Sequence, residues 1–241
     1  MKNIKVTYPI LFSLLLVGCA KVPSVCTFSM DNPLFETTIH TETQHEFLIS
    51  SSAEASFDGM GSLEQSKPLP INISWTINND TNSKPSKYNI LVSEDANLET
   101  YKTYVSKKNS IDIYNLKVAT QYYYRIDAIY SSKTFSSDIY SFKVVDEAPR
   151  NIYVENLNNI RDLGGWKIDV SHRVKQGMIY RSPEFNKSST TKSLLNKTSI
   201  STLVDDLGIK TDVDIRRNDV DSSGSIETGG ITSSPLGNNV N

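Results

Sequence analysis

Three short runs in the second half of the chain carry charged side chains at positions where ligands are often met. They are Asn159-Ile160-Arg161-Asp162-Leu163-Gly164-Gly165-Trp166, then Ile179-Tyr180-Arg181-Ser182, then Gly208-Ile209-Lys210-Thr211-Asp212-Val213-Asp214-Ile215-Arg216. Arg161 and Asp162 stand just before a Gly-Gly turn. Arg181 follows a short apolar run, and Arg216 lies at the carboxyl end of an expected strand with Asp214 two residues before it. Ligands of open α/β sheets gather at that edge, so Arg216 is a candidate ligand contact. Each of these charged residues also has a plainer reading, as a structural ion pair or a loop cap. For Gly164-Gly165 the turn reading is the better one.

The elements that must hold these residues show in the apolar periods. Ile200, Leu203, Val204 and Leu207 recur at i, i+3, i+4 and i+7, one face of a helix. Gly208 follows as a C-terminal cap. Ile209 to Ile215 reads as a strand with Ile209, Val213 and Ile215 on one face, so helix, glycine and strand make an α/β unit. Met178, Ile179 and Tyr180 suit a short strand, and the tail after Asp219 is expected to be loose. Upstream the texture is different. Ile71, Ile73, Trp75 and Ile77 alternate with polar residues, as do Tyr88, Ile90 and Val92. Tyr122, Tyr124, Ile126 and Ala128 point one way, and Tyr123, Arg125 and Asp127 the other. Ile111 and Ile113 mark a further short strand, with Leu116 just beyond it, and Ile139, Phe142 and Val144 a last one. Many short strands with turn-rich gaps indicate a sandwich. Asp146 to Arg150 reads as a hinge between the two textures, and Val22 to about His45, rich in Thr, Ser and Pro, as a spacer.

The upstream strands resemble a fibronectin type III domain over about Glu46 to Glu147. Trp75 and the run from Leu116 to Ala128, with Thr120, Tyr122, Arg125 and Ala128 in the family's places and the family's proline absent, carry the likeness. The resemblance implies that Tyr122 is a tyrosine-corner residue whose hydroxyl bonds back to the backbone upstream. It speaks for fold and hardly for function.

The three charged runs, in their order and spacing, resemble the bacterial tyrosine phosphatase family of the N-x-R-D-L-G-G, R-S, D-L-R type over about Val154 to Asn241. That resemblance implies hydrolysis of phosphate esters by a cysteine thiolate. A loop opening a helix would cradle the phosphate oxygens and lower the thiol pKa. An arginine would add paired hydrogen bonds, and an acid would protonate the leaving oxygen. Within the family's frame, Arg161, Asp162, Arg181, Asp214 and Arg216 are the phosphate or substrate-site candidates. Asp214 and Arg216 together would orient the catalytic loop, or Arg216 would touch substrate. The loop itself does not occur here. The cysteines are Cys19 and Cys26 only, so no nucleophile is expected in the second region. The chain reads as the front part of such an enzyme, inactive as it stands.

The amino terminus reads as an address. Lys2 and Lys5, an apolar core from Ile10 to Val17, and Leu16-Val17-Gly18-Cys19 have the order of a secretory signal. The last four residues resemble the lipobox of bacterial lipoproteins, which implies cleavage before Cys19 and acylation of its sulfur. Several acyl chains hold far better than one. The expected place is the cell envelope, lipid-anchored in the outer membrane or the outer leaflet of the cytoplasmic membrane.

Composition excludes several alternatives. Lys and Arg number 25 against 27 Asp and Glu, without a basic block, so a nucleic-acid partner is not expected. His40, His45 and His172 lack metal-ligand spacing, and neither a metal nor another cofactor is expected. With Cys19 lipidated, Cys26 has no partner and no disulfide framework forms. The fold class is therefore multidomain. Residues 1–18 are a signal peptide, 19–45 a spacer, 46–147 an all-β fibronectin type III-like sandwich, and 151–241 an incomplete α/β phosphatase-like domain. The expected partners are the membrane and a phosphorylated protein or phospholipid substrate. The alternative function is an adhesion or binding lipoprotein in which the sandwich does the work. A pseudophosphatase that keeps its fold without the cysteine is a third reading.

Overall fold

The computed structural model describes residues 21–49, 67–183, 185, 194–213, 215, 219–220, 226–227, 234–237 and 240. Its elements are overwhelmingly strands, with few helical turns. Among the described residues no helix is long and apolar enough to cross a membrane. Cys19 and the residues before it, and Asp214 and Arg216, lie outside the described residues.

The first region consists of β1 (Cys26–Met30), β2 (Glu36–Thr37), α1 (Glu42–Ile49), β3 (Ile71–Asn79), β4 (Lys87–Ser93), β5 (Lys102–Ser106), β6 (Ser110–Ile113), β7 (Thr120–Ile129), β8 (Thr134–Ser136) and β9 (Tyr140–Val144). One sheet has the order β1-β3-β6. The other runs β2-β9-β7-β4-β5, with β8 added to β7. All pairs are antiparallel except β2 with β9. Both sheets feed one core. Ile71, Ile73 and Trp75 from β3 meet Tyr88, Ile90 and Val92 from β4 and Tyr122, Tyr124 and Ile126 from β7. The alternation in β3 and β7 places successive side chains on opposite faces, so every second residue is removed from water. Trp75 is fully buried and meets Tyr88 edge-on, ring centroids 5.0 Å apart. The Lys117 N–H donates to the Tyr122 hydroxyl at 2.8 Å, the upstream backbone bond expected of that tyrosine. Burial raises the pKa of the Tyr122 phenol, so it remains a neutral hydroxyl.

The expected spacer is folded. Cys26, Phe28 and Met30 alternate inward along β1, which pairs with β3 from Cys26↔Asn79 to Met30↔Trp75. Val22, Phe28, Met30 and Leu34 pack against the core. An edge strand needs few apolar residues because only one of its faces is covered. Its polar remainder, Thr27 and Ser29, therefore gives it the composition of a linker.

The second region begins with a small antiparallel sheet of β10 (Arg150–Val154), β11 (Leu157–Asp162) and β12 (Tyr180–Arg181). α2 (Lys197–Ser201) follows and runs on as a wider π-helical turn over Thr202–Asp206. Asn196 caps α2 reciprocally with Ser199. Leu203 is buried in a core with Ile152, Val154, Leu157 and Ile160, and Val204, Leu207 and Ile209 pack against it. Gly208 has φ +70, and the Ile209 N–H bonds the Leu203 carbonyl at 3.1 Å, a glycine-closed helix end. Beyond it the expectation fails. Residues 209–213 carry no strand, and Val213 and Ile215 are 73% and 91% exposed. An alternating apolar run becomes a strand only beside a partner that takes its N–H and C=O groups, and no strand pairs with this run among the described residues. The described pairings of this region are antiparallel, and of the expected α/β unit the helix is present while its strand is not among the described elements. The tail is not uniformly loose either. β13 (Asp219–Val220) pairs with β14 (Ile226–Glu227), and Leu236 and Val240 are buried in the second core.

The expected hinge is held on all sides. Asp146 and Arg150 are buried, and Glu147 pairs with Lys167 at 2.9 Å and with Arg173. Two amide side chains clasp the regions together. Asn115 accepts from the Tyr153 N–H at 2.7 Å and donates to its carbonyl at 2.8 Å. Gln176 does the same with Val118, at 3.0 Å in both directions.

Candidate functional site

Registration across β10, β11 and β12 sorts the site residues into two rows. Arg150, Asp162 and Tyr180 lie opposite one another, and so do Asn151, Arg161 and Arg181. Residues directly opposite share a face of the sheet, whereas chain neighbours take opposite faces. Arg161 and Asp162 are adjacent in sequence and therefore work on different sides.

The first row is a buried charge network. An Arg150 terminal nitrogen lies 2.8 Å from an Asp162 oxygen, with both side chains almost wholly excluded from water. The same guanidinium donates to the Tyr180 hydroxyl at 3.3 Å. Asp162 also accepts from the Gly164 N–H at 2.8 Å and the Gly177 N–H at 2.7 Å. It thereby pins both ends of the loop between β11 and β12. Gly164 has no substitute there, because a Cβ would stand 2.4 Å from the Lys175 carbonyl oxygen. Burial raises the Tyr180 phenol pKa, partly offset by Arg150.

The second row brings together two of the sequence candidates. Arg161 and Arg181 are cross-strand partners, and the pKa of Arg161 is lowered, chiefly by burial and then by the neighbouring Arg181 charge. Even so, a guanidinium remains charged. Arg161 Nε is buried without an acceptor. Among the described residues no carboxylate lies within ion-pairing distance of either guanidinium. Two forked donors side by side, lacking a counter-charge, match an oxyanion with several acceptor oxygens.

A cleft of about 730 Å3 lies between the two regions. Ser93, Lys102 and Tyr104 line one side, and Arg150, Gln176 and Tyr180 the other. Its flanking charges are largely matched within the protein. Lys102 pairs with Asp206 at 2.8 Å and Lys117 with Glu94 at 2.7 Å. The cleft has room for a ligand, but the second row is the better place for an anion. Elsewhere at the junction, Arg173 and then Lys167 hold the Glu147 carboxyl well below its ordinary range, at about 2.

Of the five sequence candidates, the structure thus places Arg161 with Arg181 and turns Asp162 away as a structural charge. Arg150 and Tyr180 were missed as members of the network. Their signal was the i−1 offset from Asn151 and Arg181, visible only once the register is known. Also missed was a meeting of His40, His45 and Asp146, whose side-chain ligand atoms lie within 4.8 Å of one another. No spacing rule could reveal it, because Asp146 is far along the chain from the histidines.

Side-by-side guanidiniums on one face of this sheet have the chemistry to hold an oxyanion. In agreement, a sequence model of the tyrosine phosphatase family matches residues 152–232, which points to a phosphatase-type function for this region. The matched segment contains β11, β12 and α2 in full and most of β10, with both members of the arginine pair. No curated protein matches the chain.

Proposed function

We propose that the second region is a phosphate-recognising part of a tyrosine phosphatase-type domain, with Arg161 and Arg181 as its oxyanion contacts. The domain rides on a fibronectin type III sandwich in a lipoprotein of the cell envelope. The carrying observation is the arginine pair, without a counter-charge among the described residues, inside the segment that the family matches. The substrate class is a phosphate monoester, on a protein or a lipid. Both cysteines of the chain, Cys19 and Cys26, precede that segment. The chain therefore recognises phosphate without turning it over.

The test is binding of inorganic phosphate to the full chain, beside Arg161→Ala and Arg181→Ala. A hydrogen bond to a charged group contributes about 1.5–3 kcal/mol, so each variant should weaken binding by roughly tenfold or more. Equal affinity in the double variant would remove the arginine pair from the site. Hydrolysis of p-nitrophenyl phosphate that survives Cys26→Ser would overturn the inactive reading.

The sandwich reading rests on the two sheets sharing one core, on buried Trp75 and on the Tyr122 bond to Lys117. The anchor rests on Leu16-Val17-Gly18-Cys19. In cells, wild type should enter the detergent phase on partitioning, and Cys19→Ser should stay in the aqueous phase. Identical partitioning of the two would refute the anchor.

A further inference from the structure

We propose that His40, His45 and Asp146 form a binding site for a borderline divalent cation, Zn2+ being the best match. The proposal is independent of the phosphatase reading. It begins from a buried charge. The Asp146 side chain is fully enclosed, and its neighbours are the Ile39 N–H, the Thr38 hydroxyl and the two histidines. No Lys or Arg lies within 4.0 Å of it among the described residues. A buried carboxylate needs a positive partner.

His40 fixes what that partner is. Its Nε2 lies 2.8 Å from the Pro149 carbonyl oxygen, which can only accept, so Nε2 carries the hydrogen. In the neutral ring the lone pair then sits on Nδ1. That atom is buried, has no hydrogen-bond partner and faces Asp146 Oδ1 at 3.5 Å. Two acceptor atoms this close with no proton between them repel, and a metal ion bound to both removes the conflict. A histidine whose other nitrogen is held by a carbonyl is the usual arrangement of a metal ligand with its supporting contact.

The spacing also suits. His45 Nε2 lies 3.1 Å from the same Asp146 oxygen. Donors on a tetrahedral Zn2+ at about 2.0–2.1 Å stand roughly 3.3 Å apart. The two measured edges, 3.1 and 3.5 Å, bracket that value. Two imidazoles and one carboxylate are a familiar zinc donor set with a fourth position to spare. The Thr38 hydroxyl donates to Asp146 Oδ1 at 2.6 Å and would orient the carboxylate, while its 2.9 Å contact with His45 Nε2 would give way to the ion. The ion would fasten the start of α1 to the segment joining β9 to β10, at the seam between the two regions.

The test uses the full chain in detergent, without a histidine tag and stripped by chelator. Calorimetric titration with Zn2+ alone should show one equivalent bound, and Co2+ should give the strong visible absorption of a four-coordinate site. His45 is on the surface, so His45→Ala should fold normally yet weaken Zn2+ binding at least tenfold and abolish the rise in Tm that Zn2+ causes. His172→Ala and Cys26→Ser should bind as wild type does. Absence of stoichiometric binding would overturn the proposal. Binding unchanged by His45→Ala would overturn it equally.

Discussion

Asp162 sits between the Arg150 guanidinium and the amides of Gly164 and Gly177, its side chain shut off from bulk solvent. Removing one member of a buried pair strands the other, at a cost of about 3–5 kcal/mol. Asp162→Ala should therefore lose that much stability in urea unfolding, and Asp162→Ala with Arg150→Met should recover much of it. A loss below about 1 kcal/mol in the single variant would show that water reaches the pair. The same residue marks a limit of sequence reading. Arg161 and Asp162 look like one functional dipeptide, yet the pleat sends them to opposite faces. The cross-strand partners that decide their roles, Arg181 and Tyr180, are themselves neighbours in the chain.

At the level of elements, the strands with strong alternation were legible because each turns alternate apolar residues into the core: β3, β4 and β7 lie where their apolar periods put them. The helical turn at Leu203, Val204 and Leu207, closed by Gly208, was legible for the same reason. Two elements were misread in opposite directions. β1 has the composition of a tether and is a strand, whereas residues 209–213 have the pattern of a strand and form none. In both cases the deciding fact is the neighbour. β3 offers β1 a free edge, and nothing described offers one to Val213. Deleting residues 21–30 should therefore cost roughly 2–4 kcal/mol, from Phe28 and Met30 leaving the core and the β3 ladder losing a side. Chemical denaturation of the shortened chain checks this, and unchanged stability would restore the spacer reading.

Across the whole molecule, the two regions behave as one piece because the clasps of Asn115 and Gln176 grip backbone on the opposite side in both directions. The charges of Glu147, Lys167 and Arg173 close the same seam. Little of this was readable beforehand. Amide-to-backbone bonds follow no periodicity, and the stretch 146–150 looks like a joint because its residues are polar and include a proline. Its polarity serves the seam instead.

With Cys19 acylated as proposed, the early start of folding would also set the height at which the protein stands. Val22 already packs on the sandwich core. From an acylated Cys19 the chain has three peptide steps to that point, a leash of roughly 10 Å at full stretch. Such a protein would not sweep the surrounding medium on a long stalk. It would crouch beside the headgroups, and whatever it meets would have to come down to the lipid surface.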